Sequence, residues 1–272
     1  MFIRQFGRGG NMRRGFMFFL VVMFLAAGCG NVFEGMEDKD TEEAKQLEVS
    51  QHLDKGDYQW VVDHPELAGA IDYAAAAMGL AGLTPTNLIQ GLNNSTSDSG
   101  DLSAVISLAL NTDALHYLQT ANDGLTTALA SNPDDPELNF QATLTALAST
   151  IVAMAQVGDN HAASIEGGFD SSDGISSSEA TALGVFIAAH PTVMVDTDGD
   201  GIADSELAGL VNADVVTISA SLPGAQLGEG SDLNNVLTEA TQGAGSINYD
   251  GVGNVTAQDI SDYLRNTLGM QQ

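Results

Sequence analysis

Between Gly56 and Leu264 the chain contains no lysine and no arginine. Lys/Arg salt bridges are therefore almost absent from the body of the protein. Each carboxylate there must face water, cap a helix or meet a cation from outside. The full 272 residues hold 8 Lys+Arg against 36 Asp+Glu, a formal charge of −28. That balance excludes a nucleic-acid partner gripped through a basic face, because phosphates would be repelled. Self-repulsion on this scale makes stability depend on salt. It points either to adaptation to a salty or divalent-rich medium or to specific cation binding. The 44% apolar content is that of a globular chain, and the length suits one large domain or two small ones. The single Cys rules out an internal disulfide framework and any multi-Cys zinc or iron–sulfur site.

The basic residues that do exist are concentrated at the start. Arg4, Arg8, Arg13 and Arg14 precede the first acid, Glu34. An apolar run from Phe16 to Ala27 follows, then Gly28-Cys29-Gly30. A basic stretch, a short apolar stretch and small residues predict a secretory signal over residues 1–28. Twelve apolar residues fall short of the roughly 20 needed to span a bilayer, so the run is expected to be removed. Leu25-Ala26-Ala27-Gly28-Cys29 resembles the lipobox of bacterial lipoproteins, with Ala26 where Leu is most frequent. The resemblance implies that Cys29 is lipidated and becomes the mature N-terminus. With Gly30 rather than Asp after it, the family pattern implies a lipid-anchored protein of the bacterial cell envelope, in the outer membrane. The alternative is an ordinary signal peptide with an incidental Cys. Arg13-Arg14-Gly15-Phe16-Met17 is also similar to a twin-arginine export core, although the greasy apolar run favours the general secretion route. Removal of residues 1–28 leaves Lys39, Lys45, Lys55 and Arg265 against the same 36 acids, a charge of −32.

The mature chain reads as three segments. Residues 29–50 are charged and predict an acidic tether leading into a first helix. Residues 51–157 are rich in Ala and Leu at helical spacing: Leu67, Ile71, Ala74 and Met78 form one stripe, Leu144, Leu147, Ala148 and Ile151 another. In Asn132-Pro133-Asp134-Asp135-Pro136 one helix ends and another starts, with Asp134 or Asp135 as cap and Pro136 in the first turn. Residues 158–272 shift towards Gly, Ser, Asp and Asn. Helices are predicted there over 179–190, 203–213 and 256–268, while Asp214–Leu222 suits strand or helix.

Ala121, Leu125, Ala128 and Pro133 have the spacing of the second helix and closing turn of a tetratricopeptide repeat. Pro136-Glu137-Leu138-Asn139-Phe140, with Ala142 and Ala146, resembles the opening of the next repeat, with Thr143 where that helix usually has Gly. Leu53-Asp54-Lys55-Gly56-Asp57-Tyr58 is similar to an inter-helix turn of the same family, and Tyr73–Leu83 to a stretch of repeat-containing bacterial lipoproteins. The resemblance covers about 50–157. It implies an all-α fold of repeat-like antiparallel helix pairs, in which small residues let paired helices pack closely. An irregular helical bundle carries the same stripes.

The strongest local motif is Asp196-Thr197-Asp198-Gly199-Asp200-Gly201-Ile202-Ala203-Asp204. Asp at alternate positions can converge on one hard cation, Gly201 permits a left-handed turn, and the Ile202 carbonyl can face inward. Asp204 supplies a further ligand. An all-oxygen set of six or more sites suits calcium. The loop resembles EF-hand and thrombospondin-type calcium loops, with Leu207 at the twelfth place where an EF-hand has an acid, and Glu206 one place early. A shortened loop using Glu206 and an affinity on the order of 10⁻⁴–10⁻³ M are expected. A second loop, with Asn248, Asp250, Asn254, Thr256 and Asp259, resembles an EF-hand or dockerin loop ahead of a helix; the other reading is a turn in which Thr256 caps that helix. Asp170-Ser171-Ser172-Asp173-Gly174 is a third acidic turn, out of register with Glu179. The C-terminal half is thus expected to be an EF-hand-like loop–helix region.

His52, His64, His116, His161 and His190 show no metal-ligand spacing, and no nucleophile elbow or phosphate loop is present. An enzyme is not expected. The sequence suggests a lipid-anchored envelope protein whose helical body binds a protein or peptide and whose acidic region is ordered by calcium. Its rivals are a structural surface protein that uses calcium only to hold its shape, and an enzyme.

Overall fold

The computed structural model describes residues 41–84, 87, 108–227, 238, 247 and 253–268. The expectations for the signal, for Cys29 and for Asn248 and Asp250 lie outside these residues. The chain divides into residues 1–45 and residues 46–272. In the first unit, Lys45 pairs with Glu42 at 3.0 Å. The account that follows concerns the second unit.

The described elements are mostly helical: α1 (Glu42–Lys55), α2 (Tyr58–Asp63), α3 (Ala70–Leu80), α4 (Leu115–Ser131), α5 (Pro136–Asn160), α6 (Ser177–Ala189), α7 (Leu207–Ser221) and α8 (Ala257–Tyr263). A two-residue strand pair, β1 (Met194–Val195) and β2 (Ser205–Glu206), is antiparallel, with Val195 opposite Ser205. Residues 42–50, expected as tether, lie in α1, where Glu, Ala, Lys, Gln and Leu are strong helix formers. Gly56, at φ +73°, closes that helix, as a left-handed residue does after a last helical turn. Val49, Val61, Val62 and Ala76 form a small core among α1, α2 and α3. Trp60 packs against this core and is stacked between the rings of His52 and His64, at 3.8 and 4.3 Å.

The main core is built around α5. Every residue from Gln141 to Gly158 is buried. Among the described residues α5 is the one helix long and apolar enough to cross a membrane, yet 94% of its apolar window is enclosed by the rest of the fold. A helix apolar on all sides must be wrapped on all sides, and α3, α4 and α7 do the wrapping. Several of its polar side chains are satisfied locally. Thr143 and Thr145 donate to the carbonyls of Asn139 and Gln141, each at 2.8 Å, and Asn139 Nδ2 donates to the Pro133 and Asp135 carbonyls.

Four residues connect α4 to α5. The carboxylate of Asp135 accepts from Glu137 N and Leu138 N at 2.9 and 3.1 Å, and Pro136 takes the first helical position. Thr112 bonds to Asp159 near one end of the pair, and Gln119 bonds to Ser149 further along, so α4 and α5 are antiparallel. α5 runs past residue 157, where composition shifts, and α7 packs along it. One apolar cluster therefore joins residues from Ala74 to Leu268.

The elements after residue 200 differ most from the sequence reading. The helix expected over 203–213 starts at Leu207, because Ser205 and Glu206 belong to the strand pair, and it runs to Ser221. Asp214–Leu222, open between strand and helix, is helical through Ser221 because Leu207, Val211, Val215 and Ile218 form a buried stripe against α5. The last helix is regular only to Tyr263 and continues as a π-turn over Leu264–Leu268.

α6 crosses α8 at a close approach. A Cβ on Gly184 would stand 2.9 Å from the Ser261 carbonyl oxygen and 2.7 Å from Arg265 Cγ. Gly124 in α4 has nothing within 4 Å of the same position. Gly184→Ala is expected to destabilise by about 1–3 kcal/mol through overpacking, and Gly124→Ala to stabilise by roughly 0.5–1 kcal/mol through helix propensity. Urea unfolding of the two variants checks the pair.

Candidate metal centre

The acidic loop is held at both ends. Beneath it, the β1–β2 pair is extended by Asp204 N donating to the Val195 carbonyl at 2.9 Å and Leu207 N donating to the Val193 carbonyl at 3.0 Å. Above, Gln156 of α5 clamps the first loop residue. Its Oε1 accepts from Asp196 N at 2.8 Å, and its Nε2 donates to the Asp196 carbonyl at 3.3 Å and the Thr112 carbonyl at 3.4 Å. Gln156 is itself buried, so the loop is docked on the central helix by neutral bonds.

Within the loop the carboxylates fold back on the backbone. Asp196 accepts from Gly199 N and Gly201 N, both at 2.7 Å. Asp198 accepts from Asp200 N at 3.1 Å, and Asp200 accepts from Ile202 N at 2.7 Å. Gly199 and Gly201 lie at φ +79° and +82°, a left-handed backbone that glycine adopts at little cost. A side chain at Gly199 would also run into the His116 ring, 2.9 Å from the ideal Cβ.

The result is a cluster. One carboxylate oxygen from each of Asp196, Asp198 and Asp200 lies within 4.8 Å of the others. Asp196 is half-buried, and the other two are exposed. Three hard oxygen donors at this spacing, free of competing cations, fit a hard divalent ion.

The remaining candidates are placed differently. Asp204 turns towards the loop entrance, where it accepts from the Thr197 hydroxyl at 2.8 Å and Thr197 N at 3.0 Å. The Thr197 hydroxyl holds this exposed carboxyl below the ordinary carboxylate range. Its small stabilising share is therefore present above that range and is lost as pH falls from it through the lowered folded value. Glu206 lies in β2 opposite Met194, outside the cluster, and the Ile202 side chain is exposed. In the second loop, Thr256 and Asp259 form a capping box at α8: Asp259 Oδ2 accepts from Thr256 N at 2.8 Å and from the Thr256 hydroxyl, and Thr256 Oγ1 accepts from Asp259 N. Asn254 is exposed at its edge. In the third turn, Asp170 caps Ser172 N at 3.0 Å, and Glu179 forms a capping box with Ser176.

Sequence reasoning missed Gln156 as the loop's support and Asp214 as a buried acid. The signal for Asp214 was its place on the stripe Leu207, Val211, Asp214, Ile218 and Ser221, all buried at helical spacing. Gln156 carried no signal beyond lying on an otherwise apolar helix.

No protein-family model, no curated protein and no solved structure matches the chain.

Gln156→Ala leaves the N–H and carbonyl of Asp196 without their protein partners. It is expected to lower stability by about 1–2 kcal/mol. Urea unfolding together with proteolytic nicking within 196–204 is the check: loss of stability with unchanged nicking would separate Gln156 from the loop.

Proposed function

We propose that the chain is a calcium-stabilised, lipid-anchored helical protein of the bacterial cell envelope, whose role is binding rather than catalysis. The observation that carries the reading is the convergence of the Asp196, Asp198 and Asp200 carboxylates on a two-glycine loop. They lie in a body that has no lysine or arginine from Gly56 to Leu264 to neutralise them. Asp196, Asp198 and Asp200 would hold the ion, with the Ile202 carbonyl and the Asp204 and Glu206 carboxylates as further donors. Calcium supplies the positive charge the body lacks. Because Gln156 and the strand pair tie the loop to α5 and α7, ordering the loop supports the helices that carry it.

The finer architecture belongs to the same proposal. The α4–α5 hairpin, with Ala121 and Leu125 buried on one helix and Ala142 and Ala146 on the other, favours a repeat-like helix pair. The loop followed directly by α7 favours an EF-hand-like loop–helix unit. The anchor is lipidated Cys29, and the outer membrane is the expected site. The partner is a cell-envelope protein or peptide. It carries basic residues, because the body between Gly56 and Leu264 offers none of its own. A hollow of about 580 Å³ beside α6, lined by Ile165, Val185, Phe186 and His190, puts apolar surface within reach, and Val185 is 54% exposed.

Calorimetric titration of the protein with calcium is expected to give a Kd on the order of 10⁻⁴–10⁻³ M. At about 10 mM calcium that corresponds to roughly 1.4–2.7 kcal/mol of added stability. Chelator should lower Tm, and Asp198→Ala should abolish that effect. A Tm indifferent to chelator defeats the calcium reading. A photocrosslinker at Val185 that captures no envelope protein defeats the partner reading and leaves a structural calcium protein.

A further inference from the structure

Asp214 points into the joint of three helices, 4% exposed. From α4, Asn122 Nδ2 donates to its Oδ1 at 3.2 Å. From α5, Thr150 Oγ1 donates to its Oδ2 at 3.2 Å, and Ser149 lies in hydrogen-bonding contact. Gln119 Nε2 donates in turn to Ser149 Oγ. Every partner is neutral. Among the described residues Asn122 Oδ1 is buried with no partner at all, so the pocket has an acceptor to spare and lacks a donor. A carboxyl proton is the donor such a cluster is short of.

No charge nearby offsets an ionised Asp214. The only Lys or Arg after Lys55 is Arg265, which lies against Gly184 of α6. On α4, Asp123 is exposed, and His116 bonds to the Asp113 carbonyl and lies against Gly199. On α5 the titratable groups are Glu137 and Asp159 near its ends, and Asp159 is occupied by Ser171 and Thr112. Glu206 precedes α7, eight residues and about 12 Å of helix away. On α8, Asp259 is in its capping box and Asp262 accepts from Gln258.

We propose that Asp214 is a proton-operated latch: neutral, it ties α4, α5 and α7 together, and ionised, it loosens that joint. The inference stands independently of calcium. Desolvation pushes this carboxyl up to about 8, while the Ser149 and Thr150 hydroxyls pull weakly the other way. A group raised in the folded state lends stability that is full below its unfolded value of 3.8. That stability is lost as pH rises to the folded value.

Asp214→Asn keeps the shape and stays neutral. With chelator present and ionic strength fixed, urea unfolding of the full chain and of the variant is compared from about pH 4 to pH 9. Between about pH 4 and pH 8 the native chain is expected to lose folding equilibrium relative to Asp214→Asn by roughly tenfold per pH unit, then to run parallel. A difference that stays constant across the range overturns the latch. Should Asp214→Asn not fold, hydrogen exchange on the native chain decides. Intrinsic-rate-corrected protection around 119–122, 149–150 and 211–218 is expected to fall with rising pH while that of α6 holds. Protection that changes equally in both overturns it.

Discussion

The absence of basic side chains from the body is the constraint from which the rest of the structure follows. Among the described residues the ion pairs are Lys45–Glu42 and, when the imidazole is charged, His52–Asp57. Several other acids among the described residues are accommodated by neutral donors. Asp135, Asp170, Glu179 and Asp259 take N–H groups at helix starts, where backbone donors are unsatisfied and the helix dipole favours negative charge. Asp196, Asp198 and Asp200 take N–H groups of their own loop. Carboxylates therefore double as the punctuation of the fold. A basic partner would bind them from outside; here the backbone binds them from within.

The same economy shapes the core. A central helix with Gln141, Thr143, Thr145, Ser149, Thr150 and Gln156 buried along it would be costly if those groups were unpaired. They bond to carbonyls one turn back, to side chains of α3, α4 or α7, or to the acidic loop. Amide and hydroxyl side chains thus link helices that elsewhere are joined by salt bridges.

Much of this was legible in the sequence where a local rule acts alone. The turn at 132–136 was readable because Pro136 and Asp135 each suit one position of a helix start. The end of α6 before Pro191 and the Asp196–Asp200 convergence were readable for the same reason: each is decided within a few residues. The start of α7 was misplaced because the strand pair takes Ser205 and Glu206, and pairing across a loop leaves no local trace. Thr256 and Asp259 show a deeper ambiguity. An acid three residues after a hydroxyl fits both a metal loop and a capping box, and only the folded backbone distinguishes the two. Asp214 was missed because Asp214–Leu222 was left open between strand and helix, so its place on the helical stripe with Leu207, Val211 and Ile218 was not used.

The acids consequently fall into classes that answer to different species in solution. Exposed ones respond to ionic strength, because their mutual repulsion is screened within a Debye length of about 8 Å at 0.15 M. Asp196, Asp198 and Asp200 of the 196–204 loop converge to within 4.8 Å of one another, a spacing that suits a divalent ion as proposed above. Asp214 is closed to ions by its burial and responds to protons. The last two meet α5 at Gln156 and at Ser149 and Thr150, six residues or about 9 Å apart along the axis. Sites at that separation with no shared partner act nearly additively. On the two proposals together, one helix carries the proposed ion site at one end and the proposed proton latch in its middle, and the effects of calcium and of pH on stability are expected to be nearly additive.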